Sequence, residues 1–65
     1  MTQQIQELIA QMNVAKAKFD IQTVKHCVNE MRKIRNLEPV NFAYDEERKI
    51  LFLFLDFEVI AHIEF

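Results

Sequence analysis

From Ile50 to Leu55 the chain reads Ile-Leu-Phe-Leu-Phe-Leu, six large apolar residues in succession within a protein of 65. Successive side chains of a strand point to opposite faces, so Leu51, Leu53 and Leu55 take one face while Ile50, Phe52 and Phe54 take the other. Such a strand has no wet side. Burying a large apolar side chain stabilises by roughly 1.5–3 kcal/mol, so leaving three uncovered forgoes about 5–9 kcal/mol, as much as the whole stability of a small domain. A bare run of this kind would also seed aggregation, and Arg48, Lys49, Asp56 and Glu58 flank it like charged gatekeepers. Any fold available to this chain must therefore put something over both faces of one strand.

The supply of cover is small. A chain of this length forms one domain and buries only about 60% of the surface its unfolded form exposes. Domains so small are usually stapled, yet Cys27 is the only cysteine, and one cysteine with two histidines does not make a structural zinc site. The remaining staple is a partner. The composition is nonetheless that of a folding chain, because 51% hydrophobic residues place it far from the disordered corner of low hydrophobicity and high charge. No N-terminal stretch combines a basic start with an apolar run and a small-residue cleavage site, and no run nears the ~20 apolar residues that span a bilayer. The expected location is a reducing cytoplasm, with no membrane partner.

Charge is unevenly placed around a net of −2. Residues 1–35 carry six basic and three acidic side chains, and residues 36–65 carry two basic and seven acidic. An asymmetry of +3 against −5 can steer association or draw two copies together, although solvated faces of unlike sign have the same signature.

Ile5, Leu8, Ile9, Met12 and Ala15 recur at helical spacing, which predicts an amphipathic helix over about 2–18 with Thr2 as N-cap. A thinner stripe of Ala10, Val14 and Ala17 lies opposite. Asp20 is a good N-cap for a second helix over about 21–35, flanked by Phe19 and Val24 at the staple positions. Val24, Cys27, Val28, Met31 and Ile34 form its apolar stripe. Arg32, Lys33 and Arg35 complement the negative end of its dipole, Asn36 suits a left-handed closing residue, and Pro39 forbids continuation.

Beyond Pro39 the period changes to two, which predicts strands at about 40–45, 48–55 and 58–65. Asp45 to Arg48 form the first turn and Asp56-Phe57-Glu58 the second. Neither contains glycine, since the chain has none, so tight type I′ hairpins are not expected. In the last strand Val59, Ala61, Ile63 and Phe65 alternate with Glu58, Ile60, His62 and Glu64, the pattern of one buried and one wet face. The predicted fold is α+β: an N-terminal αα-hairpin packed on a three-stranded antiparallel sheet.

A helical hairpin covers one face of such a sheet. The other is covered if the helices split to sandwich the sheet, if a second copy packs against it, or if a different protein or a ligand fills it. The short connection between the helices disfavours the sandwich. A second copy is the expected cover, giving a homodimer or higher oligomer with Ile50, Phe52, Phe54 and Ile60 at the interface.

Motifs for chemistry are scarce. Catalysis needs positioned groups in a concave site, often with backbone amides at a glycine-permitted turn, and no phosphate-cradling loop can form without glycine. His26 and Cys27 stand about 100° apart on their helix and cannot act as base and nucleophile; Cys27 belongs to the apolar stripe. His62, Glu58 and Glu64 share a predicted strand face, which by itself is a solvated face rather than a metal site. No catalytic residue, metal or cofactor is therefore assigned. Lys25, Arg32, Lys33 and Arg35 form a basic patch that could contact phosphates or an acidic partner, within a domain of pI near 5.6.

The sequence thus points to a small non-enzymatic protein-interaction module, a homo-oligomeric adaptor or an inhibitor of a larger protein. Size and composition associate it with accessory and counter-defence proteins of phages and mobile elements. A nucleic-acid-binding regulator using the basic patch is the alternative, and sequestration of a small ligand between subunits the second.

Overall fold

The computed structural model describes residues 2–65, with side chains from Gln3 onward, so the expected cap at Thr2 lies outside the described side chains. Helix α1 spans Thr2–Ala17 and α2 spans Ile21–Ile34; strands β1 (Asn41–Asp45), β2 (Ile50–Leu55) and β3 (Glu58–Glu64) follow. The strands form one antiparallel sheet in the order β1-β2-β3. The fold is the expected α-α-β-β-β.

With no glycine to close them, the helices end on side chains that must bear a left-handed backbone. Phe19 (φ 57°) follows α1 and Asn36 (φ 58°) follows α2. Asp20 N–H donates to the Ala15 carbonyl at 2.8 Å and Phe19 N–H to that of Lys16 at 3.1 Å. The second helix repeats the pair, Leu37 N–H to Arg32 at 2.8 Å and Asn36 N–H to Lys33 at 3.0 Å. This is the Schellman arrangement, which satisfies carbonyls that a helix end otherwise orphans. Asn36 plays the part its residue type predicts, whereas Phe19 accepts the same conformation at a cost of roughly 1–2 kcal/mol. Asp20 caps α2 as expected: its carboxylate accepts from the Thr23 N–H at 3.2 Å and from the Thr23 hydroxyl at 2.6 Å. Those bonds, aided by the Lys18 charge, hold its pKa below the ordinary value.

The sheet departs from expectation at both turns. Strand β2 begins at Ile50 rather than 48, because Glu46–Lys49 make a four-residue loop that ends with Lys49 at φ 57°. Asp45 organises that loop by accepting from the N–H groups of Glu47 and Arg48 at 3.1 and 3.2 Å. The second connection is just Asp56-Phe57, at φ 51° and 67°, the left-handed pair that a type I′ hairpin requires. The expectation that a glycine-free chain avoids this turn is overturned. Two apolar strands placed in register by their packing leave room for only two residues, and that packing outweighs the strain of two non-glycine residues.

A bulge further along corrects the predicted alternation of β3. Leu53 pairs with Ala61, but Phe54 pairs with Val59, so Ile60 is an extra residue without a partner on β2. Val59 consequently shares the face of Phe54, and Ile60 turns toward the helices.

Both helices lie on one side of the sheet. Ala15 of α1 and Val24 and Val28 of α2 form a single cluster with Val40, Leu51 and Leu53, and Phe42, Tyr44, Ile63 and Phe65 pack at its margin. The sandwich arrangement is therefore excluded. Asn29 ties α2 to the start of β1, donating to the Val40 carbonyl at 3.4 Å and accepting its N–H at 2.9 Å. Phe65 closes one end of the core, its ring 5.8 Å from Tyr44 and 6.3 Å from Phe19. The molecule measures 35 × 29 × 14 Å between Cα extents. Its short axis of 14 Å is that of two layers, one of sheet and one of helices.

Candidate functional site: the uncovered sheet face

Antiparallel register fixes which side chains share the face turned away from the helices. Ile50, Phe52 and Phe54 stand directly across from Asp45, Ala43 and Asn41 of β1. On the other flank they oppose Glu64, His62 and Val59 of β3. The result is an apolar centre made of Ile50, Phe52, Phe54 and Val59, edged by Asp45, Asn41, His62 and Glu64. Phe52 lies in the middle, with the His62 ring 6.5 Å away. The aromatic residues are half-buried by their neighbours along the sheet, and Val59 is 53% exposed.

The molecule as a whole also exposes more surface than its size predicts. A monomeric protein of 7.8 kDa is expected to expose about 4,400 Å², and this chain exposes 4,899 Å², an excess of roughly 500 Å². A polar rim around an apolar centre is the anatomy of a protein interface.

Of the four interface residues expected from the sequence, the structure brings Ile50, Phe52 and Phe54 together and separates Ile60, which the bulge places on the helix side beside Leu53, Met31 and Ile9. Val59 takes its place, a substitution that no spacing in the sequence announces. The bulge also breaks the set His62, Glu58 and Glu64: His62 Nε2 and Glu64 Oε1 remain neighbours at 3.9 Å, while Glu58 pairs with Leu55 on the opposite face.

The basic residues of α2 do not form one free patch. Lys25 holds its ammonium 5.8 Å from the centre of the Phe42 ring, and Arg32 Nε donates to the Glu38 carbonyl. Both cations serve the fold, while Lys33 and Arg35 are exposed. Cys27 is fully buried, its thiol directed at Gln11 Oε1 at 3.9 Å. Burial, with a smaller contribution from the Asp20 charge, pushes its pKa up, the reverse of what a nucleophile needs. No helix among the described residues is long and apolar enough to cross a membrane. No protein-family model, curated protein or solved structure matches the chain.

Proposed function

We propose that this protein is a non-enzymatic interaction module that works as a homo-oligomer, burying the open sheet face against a second copy and presenting its remaining surface to a larger protein. The observation that carries this reading is the apolar centre Ile50, Phe52, Phe54 and Val59, left uncovered by a helical hairpin that lies wholly on the other side. A two-fold axis through Phe52 would lay one apolar centre on its twin and keep the polar edges at the rim, the self-complementary geometry of most dimers. A standard interface removes about 800 Å² from each partner, which sets the area such a dimer would bury. The role is that of an adaptor or inhibitor in a reducing cytoplasm, a setting supported by the single buried thiol.

Molar mass by light scattering across a dilution series tests the reading. Wild-type protein should give a multiple of 7.8 kDa, and Phe52→Asp or Phe54→Asp should reduce it while far-ultraviolet dichroism stays folded. Variants that retain the wild-type mass would remove the sheet face as the interface.

A further inference from the structure

A second apolar surface lies on the helix side, at the end of the molecule where the β2–β3 hairpin turns. Ile5 and Ile9 of α1, Met31 of α2, and Leu53 and Ile60 of the sheet line a groove of about 360 Å³, bordered by Arg32 and Arg35. Its size falls at the lower end of the roughly 300–1,000 Å³ of ligand clefts. Ile9 and Ile60 are 40% and 45% exposed within it. Among the described residues no side chain fills it.

The same end of the molecule carries a side chain with the complementary shape. Phe57 projects from the hairpin tip, 102% exposed, at a φ of 67° that glycine would accept freely. A fully exposed bulky ring in a strained turn is a costly choice for a surface. Asp56 and Glu58 flank it. The ring with its two carboxylates is thus the chemical converse of an apolar groove with two guanidiniums, and the charge asymmetry of the whole chain has the same sense.

We propose that Phe57 of one copy seats in the groove of a second copy, with Asp56 and Glu58 meeting Arg32 and Arg35. Phe57 and Ile60 are three residues apart on one hairpin, so knob and groove adjoin. A two-fold axis at this end lets each copy give its ring and receive the other's, a closed reciprocal contact rather than an open chain. Phe57 also borders a hollow with Asn41 and Phe54 at the corner of the open face, but the groove it enters lies on the helix side, so the contact does not rest on that face being an interface. Where both operate, assembly proceeds beyond two copies.

The test is molar mass against concentration for Phe57→Gly, which suits the left-handed turn and leaves the fold intact, and for the charge reversals Arg35→Glu and Glu58→Lys. Phe57→Gly should shift the dilution midpoint of one association step by roughly thirtyfold or more, the loss expected of a buried aromatic anchor. Each reversal alone should weaken the same step, and the Arg35→Glu/Glu58→Lys pair should restore it. Wild-type association in Phe57→Gly at every concentration overturns the proposal. Phe54→Asp separates it from the sheet-face reading: mass lost in that variant but kept in Phe57→Gly leaves only the sheet face standing, and the converse leaves only this contact. A wild-type monomer throughout would overturn both.

Discussion

At Phe57 and Phe19 a bulky aromatic occupies backbone space that glycine usually fills, at φ 67° and 57°. The two differ in what offsets the strain. Phe19 sets its ring against Phe65 and under the Lys49 ammonium, 5.3 Å from the ring centre, so truncating it removes packing along with strain. Phe57 is fully exposed in the single chain, so in the unassociated chain Phe57→Gly should raise the unfolding free energy by about 1 kcal/mol, measured by chemical denaturation at a protein concentration below the association midpoint. An unchanged or lower midpoint would show that the ring supports the fold. Asp20 supplies a pH dependence whose sign follows from its lowered pKa. The unfolded chain binds a proton at Asp20 more readily than the folded one, so the stabilisation is present above the ordinary carboxylate value and fades as pH falls through the lower folded value. Asp20→Asn keeps an acceptor at the cap without the titration, and should flatten the acid limb of stability against pH relative to wild type.

Between elements, the join of α2 to β1 depends on Asn29, whose amide serves the Val40 backbone as a neighbouring strand would. Val40 is buried, so its N–H has no ready water to turn to. Asn29→Ala should therefore cost roughly 1–3 kcal/mol, the desolvation of a donor left unpaired, and the Val40 amide should lose protection in hydrogen exchange before the β2 amides do. Retained protection at Val40 would show that another acceptor replaces Asn29. Arg32 reinforces the same junction through the Glu38 carbonyl. Arg32 at the end of α2 thus holds the turn into the sheet, which is a different task from gripping phosphate. Wild-type protein should accordingly show no salt-sensitive complex with DNA in a titration at low ionic strength; a complex abolished by Arg32→Ala with Arg35→Ala would return the basic residues to the role of a nucleic-acid contact.

On the scale of the whole molecule, two layers cannot enclose a strand that is apolar on both sides. The helices seal Leu51 and Leu53 almost completely, and nothing is left to cover Phe52 and Phe54. Denaturation should therefore depend on protein concentration, because any partner that binds only the folded chain stabilises it by mass action. The midpoint should rise with concentration in wild type and stay level in Phe52→Asp. A level midpoint in both would place the entire stability within a single chain.

Periodicity alone determined the two helices, the change of period at Pro39, the three strands and the two-sided apolar character of Ile50–Leu55, because each is a local repetition that residue types express directly. Asp20 and Asn36 were legible for the same reason: capping depends on a side chain and the few backbone groups beside it. The tertiary structure alone decided which face of β3 each residue takes. The bulge at Ile60 shifts the ladder by one residue, and with a side-chain period of two a one-residue shift exchanges the faces, so Val59 replaces Ile60 at the open surface. It also decided the Asp56-Phe57 turn, since the strain of a left-handed backbone without glycine is local, while the cross-strand packing that outweighs it is not.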